Sequence, residues 1–214
     1  MSPLPTASYA EQSARWPDRG RHILAHHDAE TIVVYQAYRP EIGEWAIQSG
    51  RLGGPAFSAE RMITIKPNFL WMMFRSGWAT KPDQEVTLGL RLRRAFFDAL
   101  LEEAVASSYR AAGLPTQADW KRAMKRSSVR LQWDPDHGPG GEKLERRAIQ
   151  LGLRGPALRR MVEDETLEVL DLRPLVERER ARLSDEGRDA VRTPLESVYR
   201  PSDAVAVGHL RLDS

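Results

Sequence analysis

The chain has 214 residues, 41% of them hydrophobic and 29% charged, and a formal net charge of +2, which suits one domain with its own buried core and calls for no polyanionic partner. It contains no cysteine, so disulfides, thiolate metal sites and a cysteine nucleophile are excluded. Met1–Ala10 has no basic region followed by an apolar stretch, and the longest apolar run, Phe69–Phe74, is too short to span a bilayer, so neither a secretory leader nor a membrane partner is expected and the cytoplasm is the expected location.

Residues 1–21 carry Pro, Ser and Arg without periodicity and read as a flexible arm. Residues 22–200 read as a single globular domain, and 201–214 as a tail or edge strand. Thr31–Tyr38 (TIVVYQAY) is dense in β-branched and aromatic residues and predicts a buried strand. Pro40 opens a helix with Ile42, Trp45, Ala46 and Ser49 on one face, and Gly50 is placed to end it. Met62–Lys66 predicts a second strand. Pro67 and Asn68 then signal a helix start, with Asn68 as N-cap and Gly77 as the stop. Val86–Leu92 alternates strictly and predicts a strand. Ala95–Ala106 and Thr116–Arg126 predict helices, the second of them basic. Val129, Leu131 and Trp133 alternate in a strand that is expected to stop at the turn-rich run Asp134–Gly141. Ile149, Leu151 and Leu153 mark its successor. A helix from Gly155, a strand over Leu167–Leu172 and a charged helix over Pro174–Glu186 follow. The expected architecture is α/β (α+β): a mixed central β-sheet with helices packed on its faces.

Common catalytic fingerprints, such as the phosphate loop, the dinucleotide glycine motif and the zinc-protease helix, are absent. His22 and His26 would share a metal only on a helix, and their segment lacks helical patterning, so no metal is expected. The stretch Arg61–Lys81 (RMITIKPNFLWMMFRSGWATK) stands apart. It sets Phe69, Trp71, Phe74 and Trp78 among Arg61, Lys66, Arg75 and Lys81, and cations beside aromatic planes suit a ligand with both a phosphate and a ring. On the strands, Arg130, Gln132 and Gln150 are expected to form one polar patch if their strands pair, with the small residues Ala148 and Gly152 leaving room for a ligand. Tyr38 lies near its strand's end, where sites in such sheets often form.

These motifs carry a resemblance. VVYQAY at Val33–Tyr38, the Arg61–Lys81 stretch, VRLQWDPDH at Val129–His137 and RRAIQLGL at Arg146–Leu153 resemble the family called domain of unknown function 4291. The chain departs from that pattern at Ile63 or Thr64, where Trp is usual, and at Asn68, where Ser is usual. More remotely, the order of elements resembles ADP-ribosyltransferase-like domains. That resemblance implies NAD as ligand, with Gln36 or Tyr35 in the first-strand role, Lys66 at the end of the second strand and Gln150 as the late polar residue. Arg61, Lys66 and Arg75 would hold pyrophosphate, with Lys81 nearby. Tyr35 or Trp71 would stack on a ring, and Gln36 and Gln150 would orient ribose. A neutral Gln stabilises a ribosyl cation less well than a carboxylate, so slow activity or binding alone is implied. The alternative partner is RNA or DNA, contacted by Lys121–Arg126 and by Arg91, Arg93 and Arg94. A third reading is a protein-interaction domain in which Arg61, Lys66 and Arg75 point separately into solvent.

Overall fold

The β-branched and aromatic run at Thr31–Tyr38 forms a strand over its whole length, and Gly50 ends the next helix at a left-handed φ of 69°. The computed structural model describes residues 4–213; residues 1–3 of the expected arm and Ser214 of the expected tail lie outside the described residues. In chain order the elements are β1 (Thr6–Ser8), α1 (Tyr9–Ser13), β2 (Gly20–Arg21), β3 (Ile23–His27), β4 (Thr31–Tyr38), α2 (Pro40–Ser49), β5 (Ile63–Ile65), α3 (Phe69–Ser76), β6 (Val86–Arg93) and α4 (Arg94–Glu103). They continue with β7 (Val105–Ala106), α5 (Tyr109–Ala112), α6 (Gln117–Arg126), β8 (Val129–His137), β9 (Lys143–Leu153), α7 (Gly155–Arg160), β10 (Thr166–Asp171), α8 (Arg173–Glu186), β11 (Arg192–Pro194) and β12 (Ser197–Tyr199).

The fold is mixed α/β in a single domain, but its strands make two five-stranded sheets and a two-stranded ladder, β1-β11, where one sheet was expected. The first runs β10-β6-β4-β3-β12, antiparallel throughout. The second runs β2-β9-β8-β7, with β5 also on β9; β5 and β8 pair antiparallel to β9, whereas β2 on β9 and β7 on β8 are parallel. One backbone pair joins the sheets: the Tyr35 N–H donates to the Lys66 carbonyl at 2.7 Å, and the Lys66 N–H returns to the Tyr35 carbonyl at 3.2 Å.

Two apolar cores follow from the alternation. Ile32, Val34, Leu88, Leu90 and Leu92 meet Leu131, Ile149 and Leu151 of the second sheet, together with Phe97 and Leu100 of α4. The other face of β4, Val33 and Tyr35, packs on Phe69 and Met73 of α3 and Val176 of α8. Thr87 is buried beside the alternating leucines, so β6 is covered on both sides.

The structure corrects several expectations. The described part of the arm is built in: Leu4, Tyr9 and Trp16 are buried in the second core, and β1 pairs with β11. The helix read over Ala95–Ala106 ends at Glu103, and Val105–Ala106 pairs with β8. Strand β8 does not stop at Asp134. It runs through Pro135 to His137, with a register shift between those two residues that accommodates a residue lacking an N–H. His26 lies on a strand, with its Nδ1 2.8 Å from the Leu195 carbonyl oxygen. Within 201–213 no strand forms; Gly208–Leu210 is a single 3-10 turn that buries Leu210. Among the described residues no helix is long and apolar enough to cross a membrane.

Candidate functional site

Lys66 sits where one extended segment changes sheets. Ile63–Ile65 pair with Leu151–Leu153 of β9, and the next residue pairs with Tyr35 of β4. Pro67 cannot continue the ladder, and the Asn68 side chain accepts from the Trp71 N–H at 2.7 Å to start α3. Gly77, at φ 60°, ends that helix. The chain therefore delivers Lys66 from a strand and Arg75 from the helix that follows it.

The register defines a polar face on the second sheet. Thr64 opposes Gly152, which opposes Arg130; one step along, Gln150 opposes Gln132; one step further, Asp134 opposes Ala148, and Lys66 follows two residues after Thr64, just past the end of β5. Both glutamine amides turn onto one carboxylate: Gln132 Nε2 donates to Asp134 Oδ1 at 2.7 Å, and Gln150 Nε2 to Asp134 Oδ2 at 3.0 Å. Lys66 is 3% exposed, and its Nζ donates to Thr64 Oγ1 at 3.2 Å. Burial, and then the charge of Arg75, push its ammonium down to about 8, against a smaller upward pull from Asp134.

An aromatic group borders this face. Phe74 stacks on His137 at 3.5 Å between ring centroids, and Trp71 lies near-parallel to both, at 5.6 and 5.4 Å. Trp71 Nε1 and His137 Nδ1 are buried and have no hydrogen-bond partner among the described residues. Burial holds the His137 imidazole below its usual range, which favours the neutral ring.

The residues expected to form one site divide. Lys66, Gln132 and Gln150 share the polar face, with Asp134 between the two amides. Arg75 is exposed on α3, close enough to depress Lys66. Arg130 is in the right row, but its guanidinium turns away to the Met124 and Ser127 carbonyls at the end of α6. The room expected above Gly152 is filled: a Cβ there would meet Met62 Sδ at 2.9 Å. Lys81 donates to the Phe74 and Arg75 carbonyls and caps α3, because the last carbonyls of a helix lack partners within it. Tyr35 is fully buried, edge-on to Phe69 at 5.5 Å, and cannot stack on a ligand. Trp71 is also buried, under Phe74 and His137. Gln36 alternates with Tyr35 and so faces the core between the sheets, on the opposite side from Gln150; its Oε1 is buried without a partner. Tyr38 and Arg61 line a separate cavity of about 260 Å³.

The basic cluster at Arg91–Arg94 is engaged: Arg91 pairs with Glu168 at 2.9 Å and Arg93 with Glu165 at 3.5 Å, while Arg94 lies over the Tyr199 ring at 5.1 Å. On α6, Arg122 pairs with Asp119, and Lys121, Lys125 and Arg126 are exposed.

Two acids escaped the sequence reading. Asp134 was assigned to a turn, although it continues the alternation Arg130, Gln132, Asp134. Glu196 is 4% exposed; its carboxylate accepts from the Phe69 N–H at 2.8 Å and from Asn68 Nδ2 at 3.3 Å, so a distant acid caps α3 beneath Tyr35. Burial pushes Glu196 up to about 8. Nothing in its local pattern marked it. Asp136 and Arg146 form a second buried pair at 2.7 Å, with Arg146 over the Trp16 ring.

The family described as Domain of unknown function (DUF4291) matches residues 22–199. The chain belongs to that family. No curated protein matches it. The DUF4291 span contains every residue of the polar face, from Thr64 to Gln150, and also Glu196; the first 21 residues and those after Tyr199 lie outside it.

Proposed function

We propose that the polar face around Lys66 binds a nucleotide-like ligand, with NAD as the substrate, in an ADP-ribosyltransferase-like domain. The observation that carries this reading is the convergence of Gln132 and Asp134 from β8, Gln150 from β9 and Lys66 from the residue after β5, with Arg75 and the Phe74–His137 stack beside them. The order β4-α2-β5-α3-β6, with Gln150 on the later strand β9, is what suggests that class.

Lys66 and Arg75 neutralise the pyrophosphate. The exposed edge of Phe74, backed by the His137 ring, receives a ring. When the bond from ribose C1′ to the nicotinamide nitrogen breaks, its electron pair leaves with nicotinamide and positive charge builds on the sugar; water or an acceptor hydroxyl then bonds to C1′ through an oxygen lone pair and releases its proton to solvent. Asp134 meets that charge, and the two amides hold its carboxylate in place. This supplies the carboxylate that a glutamine-only site lacks. Gln36 and Tyr35 have no part in it.

The test is calorimetric titration with NAD and ADP-ribose. Wild-type protein binds both; Lys66→Met and Arg75→Ala each weaken binding at least tenfold, and Asp134→Asn keeps binding but releases nicotinamide more slowly. Binding weakens as pH rises through about 8, where Lys66 loses its charge. Absence of NAD binding, or binding untouched by Lys66→Met, overturns the reading. A steep loss of affinity for short RNA with salt would instead favour nucleic acid as partner.

A further inference from the structure

A second cavity, of about 340 Å³, lies between β2–β3, β12 and the C-terminal segment. That volume is at the lower end of what small-molecule sites occupy. Its walls combine apolar side chains, among them Ile23, Val207 and Leu212, with three arginines, Arg21, Arg200 and Arg211. Among the described residues none of these three guanidinium groups is in an ion pair. The one carboxylate in the wall, Asp213, accepts the Arg21 backbone N–H at 2.7 Å. His22 also lines the cavity. It is 5% exposed, and its Nδ1 is buried without a partner. Arg211 holds a left-handed φ of 54°, a conformation side-chain-bearing residues seldom adopt, at the point where the chain turns back along the cavity.

Unpaired guanidinium groups around an apolar hollow match a ligand with an anionic head and a small apolar body. Arginine's planar fork suits a phosphate head in particular. We propose that this cavity is a binding site for a phosphate monoester whose ester group is a small ring or aliphatic chain. The arginines hold the phosphate, Ile23, Val207 and Leu212 cover the apolar body, and His22 supplies one further polar contact. Arg21, Arg200 and Arg211 flank the matched family span, while His22 and Ile23 lie within it. The site does not depend on the Lys66 face.

Phenyl phosphate is the probe, with inorganic phosphate and phenol as separate arms. Phenyl phosphate at about a hundred times its Kd raises Tm by several degrees. Inorganic phosphate and phenol each give a markedly smaller rise. Arg200→Ala and Arg211→Ala each weaken phenyl phosphate binding at least tenfold, and Ala204→Trp, which fills the mouth from an exposed position, abolishes it. Lys66→Met leaves it unchanged. No rise with phenyl phosphate overturns the proposal. So does an equal rise with inorganic phosphate, binding that survives Ala204→Trp in a folded variant, or binding lost in Lys66→Met.

Discussion

Lys66 holds its ammonium in a place where charge is disfavoured. Its folded pKa, about 8, lies below the ordinary lysine value of 10.5. Below pH 8 the native state therefore bears the cost of a buried charge, and stability rises as pH climbs from about 8 towards 10.5, where the unfolded chain binds the extra proton. Lys66→Met, measured by urea unfolding at pH 7, is expected to be more stable than wild type by ~1–3 kcal/mol, with the gap closing above pH 10. Gaining stability while losing ligand is the signature of a residue kept for binding. Glu196 behaves in the opposite sense with pH. Burial raises its pKa from 4.5 to about 8, so the native state binds the extra proton between those values and stability falls as pH rises through that window. In Glu196→Gln the same unfolding experiment should show a flatter profile between pH 5 and 8, with the variant gaining on wild type by a few kcal/mol across it. A parallel pair of curves would mean that the carboxylate is ionised throughout.

Helix α3 was legible in the sequence from its two ends, Asn68 and Gly77, and from an apolar run with only Arg75 charged; both caps form as read. Strands β4, β5, β6 and β9 were legible from β-branched content and alternation. What could not be read were β3, whose Ile23–His27 run does not alternate, and the short pieces. Strands β1, β2, β7, β11 and β12 have two or three residues each, too few to show a period of two, and only their partners define them. Strand β8 was cut short because Pro135 looked like a turn, and that error hid Asp134. Packing between elements was equally invisible. Gly43 faces inward on α2, and a Cβ there would lie 2.3 Å from Val86 Cγ1. Although alanine favours helix over glycine, Gly43→Ala should lower stability by ~1–3 kcal/mol, because α2 must move off β6. A thermal melt with Tm at or above that of wild type would show that the helix yields at no cost.

For the molecule as a whole, composition and order of elements were enough for the α/β class and a single domain, but not for the division into two sheets. That division depends on Tyr35 meeting Lys66, a pairing between residues 31 positions apart that no local pattern encodes. It also decided the fate of the expected site. Pairing put Gln150 opposite Gln132, with Lys66 just past the end of β5, while alternation sent Gln36 to the opposite face; the identity of each residue was known, its side was not. The aromatic and cationic stretch from Arg61 to Lys81 likewise proved to serve several ends at once. Lys81 finishes a helix, Phe69 fills a core, Arg61 lines a cavity with Tyr38, and Thr64, Lys66, Trp71, Phe74 and Arg75 remain at or beside the polar face.

The peptide unit of Lys66 is bonded into one sheet, while its side chain serves the outer face of the other. The leucines and isoleucines between the two sheets form one buried layer, so the seat of this ammonium is set by how that layer packs. A volume change deep in the layer can thus detune the anionic grip without touching any atom near it.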